Sequence, residues 1–310
     1  AGGEDMSELT TLLRKDVRLL MTDPMFVILL IALAGIAFIV ALISCGGYVN
    51  SMTYSGDVVT QASLELKQRE ALANYWGSIA GIFMVIFTVI AALAMTGEKE
   101  SGMLRYVLTY RTSKPRFYAS KLLVLMSVVI MAMLIALVCY LVVFSFMDVP
   151  MLDLGALAAS MVFPFLIAMV FAAIGLTLST LSDKKAGAVV ASVAVFFILS
   201  LLSQMSIGLG VGAAYEINPA VTAQNVTEFI PLEYKLLIYA NPLVLGYGTT
   251  LMLDISGYDH YTNPHLFDPG WGAALGLAMA LAWFGIGLLA FSRERMDKGW
   301  LTRLREKMRK

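Results

Sequence analysis

Six runs of apolar residues, each free of Asp, Glu, Lys, Arg and His, limit what this chain can become: Phe26–Ile43, Gly77–Met95, Leu122–Phe146, Leu154–Leu181, Ala186–Met205 and Trp271–Phe291. A helix needs about 20 apolar residues to cross the hydrocarbon core of a bilayer. Within that core a helix also satisfies every backbone polar group inside one segment. The runs therefore predict an all-α polytopic membrane protein, a single transmembrane domain over residues 1–310 with six transmembrane helices. The fourth run is long and contains Pro164, so it is expected to tilt or kink. Only 14% of the residues are charged, where a soluble domain carries about a quarter; a soluble class is excluded.

Lysines and arginines are distributed unevenly although the net charge is zero. Three precede the first span, six lie between Lys99 and Lys121, Lys184 and Lys185 follow the fourth span, and eight follow Phe291. Lys67, Arg69 and Lys235 alone fall on the other side. The positive-inside bias places both termini in the cytoplasm, and a multi-pass protein of the cell membrane is expected. Cys45 and Cys139 are too few for a disulfide framework and read as small apolar fillers.

Taken in order, Ser7–Met21 reads as an amphipathic elbow helix with Arg14, Lys15 and Arg18 on its polar face, lying among lipid headgroups. This polar helix precedes the first span, so a cleaved signal peptide is not expected. Asp23-Pro24 restarts the helix into the membrane. Gly46–Tyr75 is an outer segment with a polar helix over Leu64–Ala73. Ile207–Gly270 forms an outer cap. Within it, Asn241-Pro242, Gly246 and Gly248 break the apolar stretch Leu236–Ser256. A seventh span there would carry the basic tail Arg293–Lys310 to the outside, so short interfacial or re-entrant helices are expected instead.

Several function classes lose support here. Ion-coupled transporters keep ionisable residues within the membrane, and these spans have none. His260 and His265, with Asp259 and Asp268, stand in an outer loop and read as solvated residues rather than a metal site. The 19 methionines are scattered at core-like positions and read as packing residues. Small residues such as Gly187 with Ala191, and Gly285 with Leu289, have the spacing that lets helices approach closely. Nothing points to nucleic acid. No G-x-x-x-x-G-K-[ST] phosphate loop occurs, so ATP chemistry by that route belongs to another polypeptide.

The polar hairpin Glu98–Lys121 is the most informative interval. Ser101–Tyr110 predicts a short helix with an apolar stripe, and Glu98 and Glu100 stand where negative charge favours a helix start. A topogenic basic loop would account for Arg105, Arg111, Lys114 and Arg116, but not for those two carboxylates ahead of Gly102 and an apolar stripe. The second span ends in Gly97-Glu98-Lys99-Glu100-Ser101-Gly102. An apolar helix, a Ser/Arg turn and Lys121 at the opening of the third span follow. This pattern resembles the ABC-2 type permeases, the transmembrane subunits of ABC transporters.

The resemblance covers the whole architecture. It implies a coupling helix between the second and third spans, two copies of a separate ABC ATP-binding subunit and a second copy of this chain. ATP and magnesium would sit on the partner subunit, with no cofactor in this chain. It further implies that Glu98, Glu100 and Gly102 open the coupling helix. Leu104, Tyr106, Leu108 and Thr109 would enter the ATPase groove, with Ser113 and Arg116 in the following turn. One departure is that Pro115 follows Ser113 instead of preceding the Ser/Arg pair. Within the family, Leu108-Thr109-Tyr110, the Ser182–Gly187 turn and Asn241-Pro242 are most similar to permeases of the nitrous-oxide-reductase copper-site maturation system.

The expected function is a permease, an exporter by resemblance, in contact with membrane lipids. Two alternatives stand beside it. One is an ATPase-driven anchor that acts on an extracytoplasmic partner through the outer cap. The other is an intramembrane protease in which Glu98, Glu100 and Arg105 would be catalytic. Against the protease, the carboxylates are not adjacent and both histidines lie outside the spans.

Overall fold

The computed structural model describes residues 10–11, 13–18, 24–54, 61–104, 113–222, 225–253, 255 and 267–293. Among these the secondary structure is helical, with turns between helices and no strand. Six helices are long and apolar enough to cross a membrane. They are α1 (Pro24–Tyr54), α2 (Gln61–Glu100), α3 (Lys114–Phe146), α4 (Leu154–Leu181), α5 (Lys185–Ile217) and α9 (Pro269–Arg293). Between α5 and α9 lie α6 (Val226–Phe229), α7 (Leu232–Ala240), a 3-10 turn (Pro242–Tyr247) and α8 (Gly248–Met252). Residues 13–18, ahead of α1, are also helical.

Several helices outrun the apolar runs that mark them. α2 has 40 residues, about 60 Å at 1.5 Å per residue, against a hydrocarbon core of about 30 Å. Its polar first third is therefore helix beyond the bilayer, held by packing: Leu72, Tyr75 and Trp76 are fully buried there. The Tyr75 hydroxyl donates to the Ala136 carbonyl at 2.6 Å, and the ring stands 5.1 Å from that of Tyr140. Likewise α1 continues through Gly46 and Gly47 to Tyr54.

α4 is the axis of the bundle. About two-thirds of its apolar window (67%) is buried, against 22% for α1, 17% for α5 and 22% for α9. It runs on through Pro164 to Leu181 as one helix. Without a hydrophobic drive between helices in lipid, close packing of small residues has to supply the attraction. Gly175 brings the backbone of α4 against the Thr88 carbonyl and Ala91 of α2. On α9, Gly272 faces Phe163, Gly276 faces Leu166, and Gly287 faces Tyr118 and Thr177. Gly187 and Gly285, by contrast, would meet nothing within 4 Å if given a Cβ. The small-residue spacing there is not what brings these helices together.

The broken stretch between α5 and α9 is folded onto the bundle. Asn241, buried to 5% exposure, donates from Nδ2 to the Leu199 carbonyl of α5 at 2.7 Å. Its Oδ1 accepts the Leu243 amide at 3.0 Å, capping the 3-10 turn. Gly248 lies flat on the Phe163 ring of α4, and Arg69 of α2 donates to the Leu253 carbonyl at 2.9 Å. α9 then starts at an Asp-Pro step, where Asp268 accepts the Gly270 amide at 2.9 Å. His260 and His265 lie outside the described residues.

Candidate functional site at the base of the bundle

The last turn of α2 ties together the end of the bundle that carries the N-terminal helix. Successive residues of a helix point about 100° apart, so three in a row can reach three different neighbours. Glu98 turns to α3, where its Oε1 accepts from Lys121 Nζ at 2.7 Å. Lys99 turns to the end of α4 and donates to the Thr180 carbonyl at 2.6 Å. Glu100 turns to the start of α5 and accepts the Lys185 amide at 3.2 Å through Oε2. A cation at the C-terminus of one helix and an anion at the N-terminus of the next both complement the helix dipole.

Lys121 carries a second carboxylate. Asp16 of the N-terminal helix stands 2.9 Å from the same ammonium, and Ser120 Oγ donates to Asp16 Oδ2 at 3.4 Å. Lys15 Nζ lies 3.6 Å from Glu98 Oε1 and completes the charge balance. Lys121, Glu98 and Asp16 are only 7%, 9% and 4% exposed. This is a desolvated cluster, for which losing one member costs far more than at a surface pair. The Lys121 ammonium also sits 5.2 Å from the centre of the Phe117 ring.

The other foot of the hairpin grips α9. Lys114 donates to the Ser292 carbonyl at 3.2 Å and lies 5.9 Å above the Phe291 ring. Phe117 and Tyr118 pack against Phe291 at 6.0 and 6.1 Å between ring centres. The two feet thus touch α4, α5, α9 and the N-terminal helix.

The predicted site residues fall as follows. Glu98 and Glu100 lie on the final turn of α2, not on a following helix. Gly102 ends α2 with φ +75°, and its amide donates to the Lys99 carbonyl at 3.1 Å. That left-handed turn is a glycine C-terminal cap. Leu104 follows and is buried. Ser113 precedes α3 at its N-cap position, and Arg116 is half-buried on its first turn. Tyr106, Leu108 and Thr109 lie outside the described residues.

Sequence reasoning did not assign Asp16, Lys15, Lys99, Lys114, Lys121 or Lys185 to this joint. The signal available was weak: the lysines stand on the side where the positive-inside rule already explains them, and Asp16 reads as one more polar residue of an amphipathic helix. No group of three or more His, Cys, Asp and Glu that could hold a metal occurs among the described residues. Comparison with curated proteins gives no match. A family model described as ABC-2 family transporter protein matches residues 10–296, from the N-terminal helix to beyond the end of α9. The chain belongs to the ABC-2 family of transporter proteins.

Proposed function

We propose that this chain, a multi-pass transmembrane subunit of an ABC-2 transporter, works as a homodimeric permease driven by two copies of a separate ATP-binding subunit. ATP and magnesium belong to that subunit. Residues 98–121 form the docking segment, both termini face the cytoplasm, and transport runs outward across the cell membrane. The observation that carries this reading is the joint at Glu98, Lys99 and Glu100. A push on the segment between Gly102 and Ser113 loads α2 and α3 directly. It reaches α4, α5, α9 and the N-terminal helix through named ion pairs and hydrogen bonds. Packed helices respond to such a push as rigid bodies.

Co-expression with an ATP-binding subunit, purification through a tag on this chain and mass measurement test the assembly. A two-plus-two complex is expected. Glu100→Lys should leave the complex able to hydrolyse ATP while lowering transport per ATP. Unchanged transport by that variant would sink the coupling assignment.

The cap built from α6, α7 and α8 supports a second reading, in which the ATPase drives an extracytoplasmic partner. Its anchorage through Asn241, Gly248 and Arg69 would pass motion of α2, α4 and α5 to that surface. Specific capture of a protein by the cap, with no transported molecule, would favour it.

A further inference from the structure

A cleft of about 470 Å³ opens between α1 and α2, in the halves remote from the ionic joint. Two independent counts give its depth. About 20 residues from Phe26, at the base of α1, reach Cys45, and about 20 back from Met95 on α2 reach Trp76. The first limit passes through the middle of the α1 wall, and the second falls between Asn74 and Ser78 of α2. On the membrane side its wall is Val40 and Ile43, the latter 69% exposed. On the aqueous side it holds Gly47, Asn74, Lys67 and Glu70, with Lys67 Nζ 2.8 Å from Glu70 Oε2. Below the headgroup boundary Ser44 and Ser78 stand beside Val40 and Ile43, and above it the cleft is doubly charged.

We propose that this cleft binds one membrane lipid with a zwitterionic head. The head's ammonium pairs with Glu70, its phosphate pairs with Lys67, and an acyl chain lies along Val40 and Ile43. The resident ion pair is partly exposed and so holds itself together weakly. A zwitterion presents the same two charges in complementary order, so it replaces that pair without leaving either charge alone. A purely anionic head would satisfy Lys67 and repel Glu70. This assignment goes beyond the permease reading and rests only on the chain being embedded in a membrane.

Gly46 and Gly47 supply a matched pair of probes. A Cβ at either would meet no atom within 4 Å, and only Gly47 lines the cleft. Full-length protein in detergent would be titrated with short-chain phosphatidylethanolamine and the bound lipid counted by native mass spectrometry. One lipid is expected on the wild type and on Gly46→Phe, with affinity lowered at least about tenfold in Gly47→Phe. The double variant Lys67→Gln/Glu70→Gln should lose the preference for phosphatidylethanolamine over phosphatidylglycerol. Equal binding by wild type and Gly47→Phe overturns the proposal. So does competition by glycerophosphoethanolamine, the head without tails, as strong as that of the lipid. A change of oligomeric mass in Gly47→Phe with lipid binding intact would give the cleft to a second copy of the chain. The readout needs no ATPase, so its failure would leave the permease reading untouched.

Discussion

Glu98 holds Lys121 at 2.7 Å across the base of the hairpin that joins the second and third transmembrane helices. The two residues close the segment at its feet, one on the last turn of α2 and one on the second turn of α3.

Lys121→Met removes the ammonium that two buried carboxylates share. The cost expected is about 3–5 kcal/mol, because Asp16 loses its buried cation and Glu98 keeps only Lys15 at 3.6 Å. Thermal unfolding in detergent should show a clear fall in midpoint. The quadruple variant Lys15→Met/Asp16→Asn/Glu98→Gln/Lys121→Met, which removes all four charges, should recover most of it. A quadruple variant no better than the single would mean that packing, not charge, explains the loss.

Gly287→Ala and Gly285→Ala test the close approach of α9 to the bundle. A Cβ on Gly287 would run into the Tyr118 hydroxyl and Thr177, whereas one on Gly285 meets nothing within 4 Å. The first should destabilise by about 1–3 kcal/mol. The second should be neutral or stabilising by up to about 1 kcal/mol, since alanine is the better helix former. Equal unfolding midpoints would refute the packing described.

Asn241→Leu deletes both bonds that fix the 3-10 turn to α5 and leaves the Leu199 carbonyl without its donor. A local loss of about 1–3 kcal/mol is expected. Amide exchange over residues 241–253 should accelerate while α4 keeps its protection. Asn241→Asp keeps the cap on Leu243 but sets a buried carboxylate oxygen against the Leu199 carbonyl, so it should destabilise at least as much as Asn241→Leu.

Gly102→Ala forces a side chain into the left-handed turn that ends α2, at about 1–2 kcal/mol. The strain is local. Exchange over residues 97–104 should rise, with little change in the unfolding midpoint of the whole protein. A large drop in that midpoint instead would mean that the turn is needed for assembly of the bundle.

The membrane-crossing runs were legible because their evidence is local: a charge-free stretch of sufficient length allows one structure in a bilayer. The full length of α2 was not. Gln61–Tyr75 is polar, and its helix depends on burying Leu72, Tyr75 and Trp76 against distant residues such as Ala136. Gly102 closes α2 in a left-handed turn, while most of the short helix expected after it lies outside the described residues. The sequence reading set Glu98 and Glu100 at the start of a new helix, but they finish the old one. What fixes them there are Lys121 and Lys185, 23 and 85 residues further along the chain. The short, broken helices between α5 and α9 were expected from Asn241-Pro242 and the glycines. The reach of Asn241 to Leu199 was not, because a cap and a crosslink use the same amide and look alike in sequence.

The unbroken length of α2 has a mechanical consequence. It contains no proline, and a helix of about 60 Å acts as a lever with the ionic joint as its fulcrum. A tilt of about 5° at Glu98–Glu100 would carry the opposite tip through about 5 Å, roughly one helical pitch. Lys67 and Glu70 ride near that tip, so a small stroke on the basic side would widen or shut the cleft they line.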